Sequence, residues 1–294
     1  MDRSKQVYEQ EATGWERGLY DDIMHTFRAP IVNWIFRTTI ANYPAFLRYA
    51  WAQVKPVFET RRFGQFTVSY RDTVLSALEA NASVPSLRFD ELDVSPAEFG
   101  ELKGQLATYD VVAPRLAVLF ELVDRGLHGE PIGTDPDRTR DATAPLPTWL
   151  DADRGRPPTL IAFDDPPDEL ADTVSSIQSF HGLEEGLPSI YRTLAQWPGY
   201  LNPMWNAVEP VCRSDAFSTA VDNARSAVEA FVDSITYVPK IDPDSLEQRG
   251  LDDEVVRDLQ DLFRDFNRGP IETVIPALPT YAATVNVAGP RSFG

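Results

Sequence analysis

The stretch from Tyr43 to Phe63, YPAFLRYAWAQVKPVFETRRF, recurs from Trp197 to Phe217 as WPGYLNPMWNAVEPVCRSDAF. Pro44 maps to Pro198, Leu47 to Leu201, Trp51 to Trp205, Val54 to Val208, Pro56 to Pro210, Val57 to Val211 and Phe63 to Phe217, all at one offset (198 − 44 = 154). Arg71 and Val74 meet Arg225 and Val228 at the same spacing. Tryptophan and proline are rare enough that a fixed offset over this span marks an internal duplication. Two copies of one unit predict a seam between them, and such seams are common places for a pocket.

Outward from the duplicated stretch, apolar residues recur at helical spacing nearly everywhere. Glu16 to Phe27 reads as a helix, and Pro30 is expected to open the next at its first turn, with Ile31, Trp34, Ile35 and Thr38 on one face. Helices follow from Pro44, over Phe63 to Leu78, and from a Ser95-Pro96-Ala97-Glu98 capping box towards Gly126, with a kink or break at Pro114. Between Gly129 and Pro167 eight prolines stand among many aspartates, a density that cannot sustain a helix. Trp149, Leu150 and the run Leu160 to Phe163 are expected to pin parts of this connector. Helical patterning resumes over Leu170 to Phe180, Pro188 to Gln196, Pro198 to Cys212, Ala216 to Ser234 and Asp252 to Ala283. No period-two strand pattern survives. The expected fold is all-α, a pseudo-dimer of two helical repeats, with residues 1–128 as the first, 129–167 as connector and 168–294 as the second.

The 294 residues carry a net charge of −18, and of 27 basic residues only Lys5, Lys55, Lys103 and Lys240 are lysines. Abundant carboxylates with scarce lysine resemble the cytosolic proteins of extreme halophiles, whose solvated acidic surfaces keep them soluble in strong salt. Self-repulsion should then destabilise the chain in dilute buffer. Dialysis from molar KCl is expected to reduce the helical circular dichroism signal; an unchanged spectrum would count against a halophilic origin. An acidic surface disfavours nucleic acid. Cys212 is the single cysteine, which excludes an intrachain disulfide and a CxxC redox pair. Neither a secretory segment nor a bilayer-spanning run is seen, so the expectation is a cytoplasmic protein without membrane association. Because the duplicated halves already supply a dimer-like interface, a monomer or a homodimer is expected.

No two of His25, His128 and His181 have metal-ligand spacing, and neither a serine elbow nor a phosphate loop is present. The doubled helical layout, Arg28-x-Pro30, the LAQWPGYL run from Leu194 to Leu201 and the His181-Gly182 turn resemble the group I 2-haloacid dehalogenase (DehI) family. The resemblance implies an AhpD-like helical architecture with the active site between the halves and no cofactor. It also implies hydrolysis in which an aspartate activates a water that displaces halide from C2 of a short 2-haloacid, an asparagine orienting that water. In the family the aspartate stands just before an aromatic, at the start of the helix leading into LA-x-WP; here the matching residue is Ile190, before Tyr191. The asparagine's match is Ala113, before Pro114.

Two expectations follow from that substitution. The catalytic role has moved, with Asp110 and Asn267 (offset 267 − 110 = 157) converging on the seam as acid and amide, or the two are a pair satisfying backbone groups beside the prolines. Glu184 and Glu185 are further acids in the loop leading to Ile190, with solvation as the simpler role. Trp34, Ser189, Ile190, Ala113 and Phe266 are the expected pocket lining, and the ligand is expected to be a small carboxylic acid. Arg28, Arg37, Arg192 and Arg268 are the guanidiniums suited to a carboxylate. A non-catalytic or divergent binding protein on the same scaffold is the alternative to a hydrolase.

Overall fold

A computed structural model describes residues 1–133, 145–162, 166–269 and 271–293. Pro136, Phe163 and Pro270, which figure in the connector and the last turn, lie outside the described residues. Among the described residues the regular structure is helical: α1 (Gly14–Phe27), α2 (Trp34–Asn42), α3 (Pro44–Phe58), α4 (Arg61–Glu79), α5 (Pro96–Leu127), α6 (Ala171–His181), α7 (Ser189–Leu194), α8 (Pro198–Cys212), α9 (Asp215–Ser234), α10 (Pro243–Glu247), α11 (Asp253–Arg268) and α12 (Ile271–Thr284). The all-α expectation holds. No described helix is long and apolar enough to cross a membrane.

The chain forms two compact units, each made of three segments. The first comprises Met1–Thr67, Arg115–Ala152 and Val228–Gly269; the second comprises Val68–Pro114, Asp153–Ala227 and Pro270–Gly294. The borders fall inside α4, α5 and α9.

Both copies of the duplicated stretch are helices of 15 residues that begin at their proline, α3 at Pro44 and α8 at Pro198. Proline suits the first helical position because its φ is preset and its missing N–H has no intrahelical acceptor there. The buried stripe of α3 includes Phe46, Leu47, Ala50, Trp51, Val54 and Phe58, and that of α8 Tyr200, Leu201, Met204, Trp205, Val208 and Cys212. Every pair keeps the 154 spacing, and Cys212 is buried, as its place opposite Phe58 predicts.

Hydrogen bonds repeat as well. The Trp51 indole donates to Asp22 at 2.8 Å and the Trp205 indole to Ser176 at 3.0 Å, where 176 − 22 = 154. Lys55 holds Asp22 at 2.7 Å, while Ser176 donates to Glu209 at 2.6 Å, again one offset apart. Each motif lies within its own unit.

Other helix ends follow local chemistry. The predicted capping box forms, Ser95 N donating to Glu98 Oε2 at 2.8 Å and Glu98 N to Ser95 Oγ at 3.3 Å. Pro30 does not open a helix: α2 starts at Trp34, because the Val32 N–H donates to the Glu9 carboxylate at 2.8 Å and Arg37 grips the same oxygen at 2.6 Å. Nor does Pro114 break α5, which runs through 32 residues. Proline costs a mid-helix about 3 kcal/mol. That cost is outweighed by Leu102, Leu106, Val111, Val112 and Ala113 in one unit and Val118 and Leu122 in the other, all 0–1% exposed.

The expected Asp252–Ala283 stretch divides into α11 and α12 at Gly269, where a Cβ would lie 2.2 Å from the Asp265 carbonyl oxygen. In the connector Leu150 is fully buried and Leu146 N donates to Glu59 O at 2.6 Å, so that part is pinned as expected; Trp149 is exposed.

Candidate functional site

The residues singled out from the sequence divide between the two units. Ser189, Ile190, Ala113 and Asp110 belong to the second; Trp34, Phe266 and Asn267 belong to the first.

In the second unit, α7 is a short helix launched after Pro188, whose carbonyl accepts from Tyr191 N at 3.0 Å and Arg192 N at 3.2 Å. Ser189 is half-buried at its first position, and Ile190 behind it is 2% exposed. Ala113, on α5, is fully buried. Arg192 spends its guanidinium on the Ile161 carbonyl, at 3.1 and 2.8 Å. Glu184 and Glu185 are exposed.

Next along α7, Tyr191 belongs to a buried polar string. Its hydroxyl lies 2.5 Å from both His181 Nε2 and the Tyr281 hydroxyl, and His181 Nδ1 lies 2.7 Å from the Thr273 hydroxyl. Tyr191 and Tyr281 are fully buried, and His181 is 4% exposed. Burial pushes the imidazole down to about 4 and the two phenols well above their ordinary range, so the string is uncharged at neutral pH. His181 is the last residue of α6 and Gly182 supplies the left-handed cap (φ 68°), so the HG pair is a helix stop with its imidazole turned inward.

A pH dependence follows. The unfolded imidazole protonates near its ordinary 6.5, whereas the folded one resists protonation down to about 4. Unfolding therefore takes up a proton in that window, and acid favours the unfolded chain. Stability is expected to be complete above about pH 6.5 and to fall by up to ~3 kcal/mol towards pH 4. Urea melts of wild type and His181→Phe across that range check this; parallel pH profiles would refute it.

Asp110, on α5, is fully buried and every oxygen is engaged. Oδ1 accepts from Arg71 Nε at 2.9 Å, and Oδ2 accepts from Arg154 Nη2 at 2.8 Å and Gly289 N at 3.0 Å. The guanidiniums also tie down the C-terminal strand of chain, Arg71 donating to Pro290 O at 2.8 Å and Arg154 to Val287 O at 2.9 Å. Gly289 lies so close that a Cβ there would meet Arg154 Nη1 at 2.3 Å and Arg71 Cζ at 2.8 Å. This arrangement gives Asp110 a cross-linking occupation.

In the first unit, Asn267 Nδ2 donates to two carboxylates of α5, Glu121 at 2.9 Å and Asp124 at 2.7 Å. Both acids are about 1–2% exposed and are neutralised by Arg125, Arg264 and Arg268. Asp110 and Asn267 are thus each bonded within their own unit. Trp34 and Phe266 stack at 5.1 Å with 17° between planes, and Phe120 packs against Phe266 at 5.2 Å, so two expected pocket aromatics do meet.

The first unit also holds an open cleft of about 600 Å³ lined by His25, Thr26, Arg28, Glu59, Thr60 and Tyr237 among others. Its one signal in the sequence is Arg28, among the four guanidiniums suited to a carboxylate. The Tyr191–Tyr281 string carried no local signal, since its members lie 90 residues apart. Among the described residues no grouping of His, Cys, Asp and Glu is arranged to hold a metal ion.

Comparison with known proteins agrees with the resemblance. Residues 30–166 match the family model described as halocarboxylic acid dehydrogenase DehI. An (R)-2-haloacid dehalogenase of Pseudomonas putida is 22% identical over 236 residues, covering 79% of this chain and 77% of the relative. A configuration-inverting 2-haloacid dehalogenase of Pseudomonas sp. (strain 113) is 26% identical over 77% of this chain and 74% of its own length. In fold, the chain is similar to a D-2-haloacid dehalogenase solved in complex with L-LA, with a TM-score of 0.82, 19% identity and 95% of each chain covered. By its sequence matches over residues 30–166 and its helical architecture, this chain is similar to the DehI family.

Proposed function

We propose that the protein binds short 2-haloalkanoic acids and hydrolyses their carbon–halide bond, without a cofactor, at a rate held low by Ile190. In this reaction a water oxygen bonds to C2, the carbon–halide bond breaks, halide leaves with the bonding pair, and the attacking water's proton passes to solvent water, no carboxylate standing at 190 to take it. The observation that carries the reading is similarity to the DehI family joined to a buried, apolar Ile190 where the family's proton acceptor is expected. The scaffold and the half-buried Ser189 beside that position support ligand binding, and the missing carboxylate removes the group that would activate the water.

Binding without turnover is the second reading, and one observation favours it. Asp110, the candidate for a relocated base, has both oxygens committed to Arg71, Arg154 and Gly289. The test is halide release from both enantiomers of 2-chloropropionate in concentrated, chloride-free potassium sulfate. Slow release by wild type, raised by a carboxylate at position 190, supports the hydrolase. Ligand-induced protection against heat with no release, even from that variant, supports binding alone.

A further inference from the structure

We propose that the cleft of the first unit is a binding site for a small carboxylate anion, received by Arg28 with help from Thr26. This inference is independent of the proposed hydrolysis, because it concerns a different unit from Ile190.

Three observations converge on it. The first is the backbone of Arg28. It caps α1 in the left-handed region (φ 52°, ψ 37°), where a side chain costs roughly 1–2 kcal/mol that glycine does not. The duplicated position is Gly182 (28 + 154), capping α6 with nearly the same angles (φ 68°, ψ 34°). Glycine therefore serves this helix stop, and at 28 arginine occupies it despite the strain. Strain of this kind points to a use for the side chain.

The second is how the guanidinium is employed. Its Nη1 donates to the carbonyls of Pro147 and Leu150, the latter at 2.5 Å. Those bonds hold the group in place and leave the edge formed by Nε and Nη2 without a partner among the described residues. Arg28 forms no ion pair among them either, although burial lowers its affinity for the proton. The carboxylate that acts on it, Asp151, is fully buried and held by Arg115 at 3.0 Å. A partly buried cation lacking its own counter-ion is stabilised by an incoming anion, and the planar fork suits a carboxylate.

The third is Thr26, which lines the same cleft. It is 4% exposed, and its hydroxyl is buried with no hydrogen-bond partner. Buried hydroxyls are nearly always satisfied, so an orphan beside an open cleft is a candidate donor to a ligand.

Two features of the cleft oppose an anion and are outweighed. Glu59 stands on the rim, but its side chain is 52% exposed and Lys55 approaches it at 3.6 Å. The C-terminus of α1 also faces this region, yet its terminal carbonyls at Met24 and His25 accept from Ala29 N and Arg28 N, both at 3.2 Å. Solvated or capped, these groups leave Arg28 as the dominant local charge. The cleft volume of about 600 Å³ accommodates a small organic acid.

Equilibrium dialysis of the full-length protein against radiolabelled propionate tests the assignment, in potassium sulfate so that chloride does not compete. A saturable component is expected that propionamide does not displace. Arg28→Lys keeps the charge but loses the fork, and should weaken this component about tenfold or more. Thr26→Val, nearly isosteric, should weaken it several-fold, and Ile190→Asp should leave it intact. Circular dichroism confirms that each variant is folded. The proposal is overturned if no saturable component exists, if both Arg28→Lys and Thr26→Val bind as wild type does, or if the component disappears with Ile190→Asp alone. In that last case the occupant sits at the α7 site and the hydrolysis reading is untouched.

Discussion

With aspartate in place of Ile190, halide release from 2-chloropropionate should rise by about 10²–10⁴-fold, the usual yield of a positioned general base. Isoleucine offers no lone pair to accept the proton of an attacking water, and the residue is 2% exposed. A carboxylate there loses much of its hydration, which raises its basicity and suits it to take a proton near neutral pH. The same desolvation destabilises the fold, so stability is measured alongside rate. Ile190→Asn is the control: it matches aspartate in shape but cannot act as the base. A rise with aspartate and none with asparagine assigns the gain to proton transfer. Equal rates in folded Ile190→Asp, Ile190→Asn and wild type would remove position 190 from the chemistry.

The second large effect is on stability. Asp110→Ala should destabilise the protein by about 3–5 kcal/mol, because it leaves Arg71, which is fully buried, and the largely buried Arg154 without their shared carboxylate. Gly289 N loses its acceptor as well, so the segment from Val287 to Pro290 should loosen along with α5. Urea midpoints measure the loss, and hydrogen exchange at residues 287–290 locates it. Halide release from the folded variant in chloride-free potassium sulfate separates the two roles open to Asp110. A destabilised variant that retains its rate assigns a structural role; a rate abolished in a fully folded variant assigns a catalytic one. A substitution that leaves both unchanged would contradict the ion-pair argument outright.

How much of this was legible in the sequence depended on distance along the chain. The starts of α3 and α8 were readable because proline at a first helical position is a local signal, and the capping box at Ser95 was readable for the same reason. Pro30 misled because what holds its neighbourhood extended is Glu9, a residue 23 positions from Val32. Pro114 misled because the packing that keeps α5 continuous comes from residues remote in sequence. Pairing of Asp110 with Arg71, Arg154 and Gly289 spans 39, 44 and 179 residues, beyond any periodicity argument. Arg28 is an intermediate case. Its motif was visible, and the duplication even supplied the glycine for comparison, but the left-handed backbone that makes the comparison matter appears only in three dimensions.

The segmentation of the two units constrains how the chain can fold as it leaves the ribosome. The first unit needs Val228–Gly269 and the second needs Pro270–Gly294, so the first lacks parts until Gly269 has been made and the second until Gly294 has. A nascent chain halted at residue 152 holds most of the first unit yet lacks the end of α9, α10 and α11. The usual vectorial order, in which an N-terminal domain closes before the next emerges, is therefore unavailable to it. Its apolar helices must wait for residues 228–269, and a cell making this protein has reason to keep early fragments in the care of chaperones.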